Sequence, residues 1–182
     1  MTLEALAKQG HTTVYDSLVA SIGPKIREIR KEFIKDSFSG FQQVEHRLET
    51  VAIIHGMEFI NDSKSSNINA TWFALENVSR PVIWIVGGVE SGNDYAILRN
   101  LVRHNVKGIV CLGLDNSRIH EAFDELQLPM IDFMTMNEAV QAAYYMGEKG
   151  DVILLSPACA SFDLFENYEE PGKAFRLAVK NL

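Results

Sequence analysis

The chain has 182 residues, of which 47% are apolar and 23% charged, and its formal net charge is −7. This length suits one main globular unit with an appendage, and the acidic balance argues against the extended basic surface of a nucleic-acid binder. Its apolar runs fall short of the about 20 residues that cross a bilayer, and no signal peptide is evident. We therefore expect a cytoplasmic protein without membrane insertion.

The first 40 residues differ from the rest because they contain a helical apolar pattern and no predicted strand. This pattern covers residues 13–22, and Pro24 opens a second helix. Residues 37–43 break the pattern and mark the predicted domain boundary. We accordingly divide the chain into a helical extension, residues 1–40, and a main domain, residues 41–182.

The main domain begins with a predicted β-hairpin, in which stretches 47–54 and 57–60 flank a tight turn at His55 and Gly56. Strands and helices then alternate. Further strands are predicted at residues 82–86, 108–112, 130–133 and 151–155, and helices at about 67–78, 94–104, 116–126, from Thr135 with a Thr135–Glu138 capping box, and at the C-terminus. The pattern predicts an α/β, Rossmann-like fold with a mainly parallel sheet and helices on both faces.

Three polar loops follow predicted strands, at residues 62–67, 87–93 and 156–161. Because the carboxyl ends of parallel strands share one edge of a sheet, we expect these loops to converge on a ligand. The first loop lies in FINDSKSSN, residues 59–67, where the following helix start favours an anionic group. In that loop Asp62 and Lys64 are candidate ligand contacts.

Each candidate also has a purely structural interpretation that the residues alone leave open. Ser65 or Ser66 can simply cap the helix, with Asp62 and Lys64 solvated. Arg47 fits a surface cation at a strand start as well as a phosphate or base contact. Ser156 and Ser161 can donate to a carboxylate or form an ordinary strand-to-helix turn, and the glycine loop GGVESGN matches neither nucleotide-binding fingerprint.

The two cysteines, Cys111 and Cys159, show neither a disulfide pattern nor structural zinc spacing. Cys111 lies in the apolar run 108–112 and is interpreted as a core residue. Cys159 lies in a loop, where a nucleophilic role would require an activating group nearby. The histidines show no metal-ligand spacing among themselves, so no metal site is predicted.

Several of these segments carry a family resemblance. They are EHRLE at 45–49, FINDSKSSN at 59–67, the loop at Gly87, CLGLDN at 111–116 and LLSPACASFDLFENYEEPG at 154–172. Together they closely resemble the C-terminal domain of the D-glutamate-adding Mur ligases, the MurD family. NDSK followed by SPACASFD distinguishes this family from its sister Mur ligases and from folylpolyglutamate synthases. Residues 3–37 resemble, more loosely, the end of that family's central ATPase domain.

The resemblance implies a ligase of peptidoglycan synthesis that uses ATP and magnesium to join D-glutamate to UDP-N-acetylmuramoyl-L-alanine through an acyl phosphate. Magnesium would be held mainly by the central domain, and the protein would be a monomer. By the same resemblance the ATP contacts are Arg47, Asp62 and Lys64, and the D-glutamate contacts are Ser66, Ser161, Phe162 and Tyr168, with Ser91 at the position of a further contact.

The chain departs from the family pattern at several positions. Ser91 stands where the family commonly has a Lys or Arg, which should cost on the order of 1.5 to 3 kcal/mol of ligand binding, and Pro171 replaces a usual Arg. No phosphate loop of the G-x-x-x-x-G-K-[ST] type occurs. We expect a C-terminal portion of a longer ligase that is inactive alone. The alternative is a non-catalytic nucleotide or amino-acid binding module derived from this fold.

Overall fold

The computed structural model describes residues 28, 29, 32, 46–88, 92–159, 164–165, 167 and 169–182. The chain divides into two compact units, Met1–Ser39 and Gly40–Leu182. The described residues of the first unit are helical. The predicted helix over 13–22 and the predicted linker over 37–43 lie outside the described residues, so their assignment stays a prediction.

The second unit is built on a six-stranded sheet with the order β1-β2-β6-β3-β4-β5. The strands are β1 (Glu49–Ile54), β2 (Met57–Asn61), β3 (Val82–Val86), β4 (Val106–Leu112), β5 (Met130–Phe133) and β6 (Val152–Leu155). Only the β1–β2 pair is antiparallel, and every other neighbouring pair in this sheet is parallel. The predicted hairpin and mainly parallel Rossmann-like sheet are therefore confirmed.

The hairpin turn has the expected residues in the expected geometry. His55 and Gly56 both have positive φ, 49° and 81°, as a two-residue turn matched to the strand twist requires. The start of β1 differs from the prediction, because Leu48 has a φ of 44° and interrupts the extended backbone. The strand consequently begins at Glu49, two residues after the predicted start.

The described part of this unit contains five α-helices, of which four connect consecutive strands and the fifth follows β6. They are α1 (Ile68–Asn77), α2 (Arg99–Asn105), α3 (Ser117–Phe123), α4 (Met136–Met146) and α5 (Glu170–Lys180). A 3₁₀ turn precedes α2, and another follows α3, so two predicted continuous helices are each divided. At the start of α4 the Glu138 N–H donates to Thr135 Oγ1 at 3.3 Å, which confirms the predicted cap.

The core consists of two apolar layers, one on each face of the sheet. On one face Trp84 and its neighbours pack under α1, α2 and α3, and on the other Ile83 and Ile85 pack under α4 and α5. All of β3 is buried, as a strand covered on both faces should be. Cys111 is fully buried in the first layer, which confirms its predicted core position. None of the described helices combines the length and apolar character needed to span a membrane.

Candidate functional site

The loops that follow β2, β3 and β6 are bonded to one another at the carboxyl edge of the sheet. The Ala158 N–H donates to the Ser65 carbonyl at 3.0 Å, which joins the β6 loop to the β2 loop. The Gly87 N–H donates to the Pro157 carbonyl at 3.2 Å, which joins the β3 loop to the β6 loop. The predicted convergence of the three loops is confirmed for their described residues.

Asp62 lies at the centre of this group and is only 1% exposed, so its interpretation as a solvated side chain is wrong. Its Oδ1 accepts from the Leu48 N–H at 3.2 Å, and its Oδ2 accepts from the Ser156 hydroxyl at 2.8 Å. Burial raises the pKa of Asp62 to about 6, although the hydroxyls of Ser65 and Ser156 partly oppose this. A buried carboxylate thus ties the hairpin to the loop after β6.

This tie brings together two chain segments that each carry a cation. Arg47 is half-buried next to the Leu48 N–H that Asp62 holds, and its charge favours the ionised form of Asp62. The Lys64 N–H donates to the His46 carbonyl at 3.1 Å, so the two segments run together, while the Lys64 side chain is exposed. We call these adjoining segments, which carry Arg47 and Lys64 near the start of α1, the cationic surface; their positive charge suits phosphate or carboxylate groups.

The serine and threonine partners of this site complete its polar core. Ser156, for which donation to a ligand carboxylate was one of two interpretations, donates to the protein's own Asp62. Its hydroxyl also lies 2.9 Å from Thr71 Oγ1, and its carbonyl accepts from Trp84 Nε1 at 2.8 Å. Sequence reasoning missed Thr71, whose only signal was a polar residue on the apolar face of α1. These bonds fix the site to the buried core.

The cap of α1 is Asn67, and the interpretation of Ser65 or Ser66 as the cap is therefore wrong. Asn67 Oδ1 accepts from the Ala70 N–H at 3.0 Å, whereas Ser65 is buried and Ser66 is exposed. The Ser66 hydroxyl stands one residue before the cap, at the helix start. It is thus placed where a ligand in solution can reach it.

This difference between cap and exposed serine has a measurable consequence. Replacing Asn67 with alanine should lower the free energy of unfolding by about 1 kcal/mol, since one N–H of the first turn loses its acceptor. Replacing Ser66 with alanine should change it by less than about 0.5 kcal/mol. Urea unfolding followed by circular dichroism measures both values, and a larger loss for Ser66→Ala would contradict this assignment.

The loop after β3 must begin with glycine, because its backbone packs closely against the end of β4. Gly87 has a φ of 142°, and a Cβ there would lie 2.2 Å from the Leu112 carbonyl oxygen. Gly88 has a φ of 138°. Such backbone is accessible to glycine and strained for other residues. The first two residues of the loop therefore shape the edge of the site.

The remaining predicted contacts are placed less completely. Ser91, Ser161, Phe162 and Tyr168 lie outside the described residues, so their roles stay predictions. Pro171, which stands where the resemblance has an Arg, is buried in the first turn of α5. There it lines a small apolar cavity with Gly87 and Phe165, so this position contributes packing.

The part of the chain that carries this site matches a known protein family. The family model of the Mur ligase, glutamate ligase domain, matches residues 46–159, which include the hairpin, the cationic surface and most of the sheet. The chain belongs to the Mur ligase family. The described candidate contacts of this Mur ligase domain, Arg47, Asp62, Lys64 and Ser66, all lie within the matched range.

Curated relatives of this Mur ligase domain match the chain over its whole length. The chain is 49% identical to UDP-N-acetylmuramoylalanine--D-glutamate ligase of Christiangramia forsetii, covering 100% of the chain and 41% of the relative. It is 46% identical to the protein of the same name from Bacteroides fragilis, with the same coverage. The chain thus spans about 41% of the length of these relatives.

Solved structures of other Mur ligases share the fold. A murein peptide ligase from Psychrobacter arcticus superposes with a TM-score of 0.55 at 12% identity, over 81% of this chain and 32% of that one. UDP-N-acetylmuramate-alanine ligase MurC from Thermotoga maritima gives a TM-score of 0.52 at 10% identity, over 78% and 31%. The α/β fold of the Mur ligase C-terminal domain is thereby confirmed.

Proposed function

We propose that the chain is the C-terminal substrate-binding domain of an ATP-dependent ligase that adds D-glutamate to UDP-N-acetylmuramoyl-L-alanine in peptidoglycan synthesis. The observation that carries this proposal is the identity of 49% and 46%, over the entire chain, to two ligases named for that reaction. The cationic surface beside α1 supports it, because the reaction requires both a nucleotide and a dicarboxylate to be held. The domain would act together with ATPase and UDP-binding parts of a longer protein.

The nucleotide side of the site consists of Arg47, Asp62 and Lys64. Arg47 and Lys64 carry the positive charge that phosphate oxygens require, and Lys64 is exposed. Asp62 is buried and accepts two hydrogen bonds, so we assign it the task of fixing the backbone beside Arg47 as well as the edge of the nucleotide site. Bound ATP would supply the phosphoryl group that makes the substrate carboxylate reactive toward an amine.

Magnesium is assigned mainly to the central domain rather than to this site. Mg²⁺ prefers carboxylate oxygens that it can reach together with several waters. Asp62 is only 1% exposed, and each of its oxygens already accepts a hydrogen bond. The role of this carboxylate is therefore the positioning of neighbouring groups.

The D-glutamate side is assigned to Ser66, Ser161, Phe162 and Tyr168, with Ser91 at the position where the family commonly has a cation. Ser66 is exposed at the start of α1, where a hydroxyl and the helix dipole both favour a carboxylate. The other four residues rest on the resemblance alone.

Calorimetry with ATP and D-glutamate, on the chain and on the longer ligase that contains it, tests this function. Arg47→Ala and Lys64→Ala should each weaken ATP binding by about 10-fold or more, since each removes one charge-assisted contact. Ser66→Ala should weaken D-glutamate binding and leave ATP binding unchanged. Lys180→Ala, at the exposed end of α5, removes an equal charge away from the site and is the matched control.

The outcomes separate the ligase from the binding-module alternative, which the Ser91 replacement favours. Ligation of D-glutamate by the longer protein, lost in Arg47→Ala, supports the ligase. Binding of ATP or D-glutamate without ligation, even after Ser91→Lys, supports the binding module. Failure of the longer protein to bind D-glutamate at all overturns the proposed substrate.

A further inference from the structure

A second group of polar side chains lies where β4 and β5 approach their carboxyl ends. Cys111 of β4 and Asp132 of β5 are register partners in parallel strands, so their side chains point to the same face of the sheet. His120 reaches this face from α3. The thiol sulfur, an imidazole nitrogen and a carboxylate oxygen all lie within 4.8 Å of one another.

The distances in this cluster are close to those of a coordinated metal ion. His120 Nε2 lies 3.0 Å from each carboxylate oxygen of Asp132. Tetrahedral zinc with bonds of about 2.0 to 2.3 Å separates its ligand atoms by about 3.3 to 3.7 Å. The three groups therefore need movements of about 1 Å or less to surround one ion, and the Asp132 and His120 side chains are exposed enough to make them.

The surroundings of the cluster favour a cation. His120 and Asp132 line a cavity of about 690 Å³, whose lining includes the further carboxylates of Asp115 and Glu138 and, among the residues that the structure describes, no lysine or arginine. Asn116 also lines it, and among the described residues no group donates to its buried Oδ1. A cavity with three carboxylates and an unsatisfied carbonyl oxygen attracts positive charge and the water bound to it.

We propose that Cys111, His120 and Asp132 bind a divalent transition-metal ion, with Zn²⁺ the best match. Sulfur, imidazole and carboxylate are a donor set that suits zinc, whereas Mg²⁺ and Ca²⁺ prefer oxygen alone. Three protein ligands leave the fourth position open to water in the cavity. Bound metal joins β4, β5 and α3, and the site is separate from the cationic surface because β6 and β3 lie between β2 and β4.

Cobalt titration of the chelator-treated chain tests the site, because Co²⁺ replaces Zn²⁺ and reports its ligands in the absorption spectrum. One equivalent should produce a sulfur-to-cobalt charge-transfer band and tetrahedral visible bands, and Zn²⁺ should remove both. Cys111→Ser should abolish the charge-transfer band. His120→Gln and Asp132→Asn should each weaken Co²⁺ and Zn²⁺ binding by at least about 10-fold.

Matched controls use the other thiol and another helical histidine of the described residues. Cys159→Ser and His104→Gln should leave both the spectrum and the affinity unchanged. Thermal unfolding without metal checks that each variant is folded; if Cys111→Ser is not, the His120 and Asp132 variants decide. Cobalt binding without a sulfur band, or with unchanged affinity in the three ligand variants, overturns the site.

Discussion

Gly87→Ala should lower the free energy of unfolding by about 3 kcal/mol or more, which would be a large fraction of the stability of a domain this size. The added Cβ would lie 2.2 Å from the Leu112 carbonyl oxygen, a backbone atom that cannot rotate away. The φ of 142° at Gly87 adds strain for any residue with a Cβ. Relief requires the end of β3 to move away from the end of β4.

Urea unfolding measures this effect, and Gly150→Ala is the control for backbone strain alone. Gly150 also has a positive φ, 102°, but a Cβ there would meet nothing within 4 Å. We expect this control to cost about 1 kcal/mol. The Gly87 N–H donates to the Pro157 carbonyl and so joins the β3 loop to the β6 loop. Because a displaced Gly87 would disturb this junction, Gly87→Ala should also weaken D-glutamate binding. Equal losses in the two variants would contradict the steric explanation.

Asp62→Asn should stabilise the fold at neutral pH by up to about 3 kcal/mol. Burial raises the pKa of Asp62 from 3.8 to about 6. Between pH 3.8 and about pH 6, the folded state therefore keeps a proton on Asp62 that the unfolded state has already released. The free energy of unfolding is therefore highest below about pH 4 and falls as pH rises from about 4 to 6. Above about pH 6 the full destabilisation by the buried carboxylate is present. Asparagine avoids that cost and still accepts from the Leu48 N–H.

Unfolding measured from pH 4 to pH 8 tests this prediction, with ATP affinity recorded in parallel. The variant should lose the fall in stability across this range, and its ATP binding should weaken because Asp62 supports Arg47. Asp115→Asn is a control of opposite sign, since the Ser117 N–H lowers the pKa of that exposed carboxyl. A parallel pH profile in Asp62→Asn and the unchanged chain would show that Asp62 is not the titrating group.

Much of the fold was predictable because its signals are local. The apolar run of β3 requires cover on both faces, and the turn at His55 and Gly56 requires residues that accept positive φ. The alternation of strands and helices then implies a parallel sheet with its polar loops at one edge. The family membership was predictable for a different reason, since FINDSKSSN and the segment around SPACASFD are distinctive sequence motifs.

The chemistry within the site was less predictable because it depends on contacts across elements. Asn67 rather than a serine caps α1, since the helix begins one residue later than predicted. The partner of Ser156 is Asp62, which lies 94 residues away in the chain, and no local pattern specifies that bond. Burial of this carboxylate, and its raised pKa, follow only from the packing of the hairpin start against the loops after β2 and β6.

The sequence by itself determined the succession of strands and helices along the chain and the edge of the sheet on which the polar loops lie. It also determined the Mur ligase family. Periodicity and motifs carry this information because they are properties of neighbouring residues. The tertiary structure decided which polar groups meet. Cys111, His120 and Asp132 come from a strand, a helix and the next strand, and no ligand spacing reveals them. They are brought together by the register of β4 with β5, which is a property of the folded sheet.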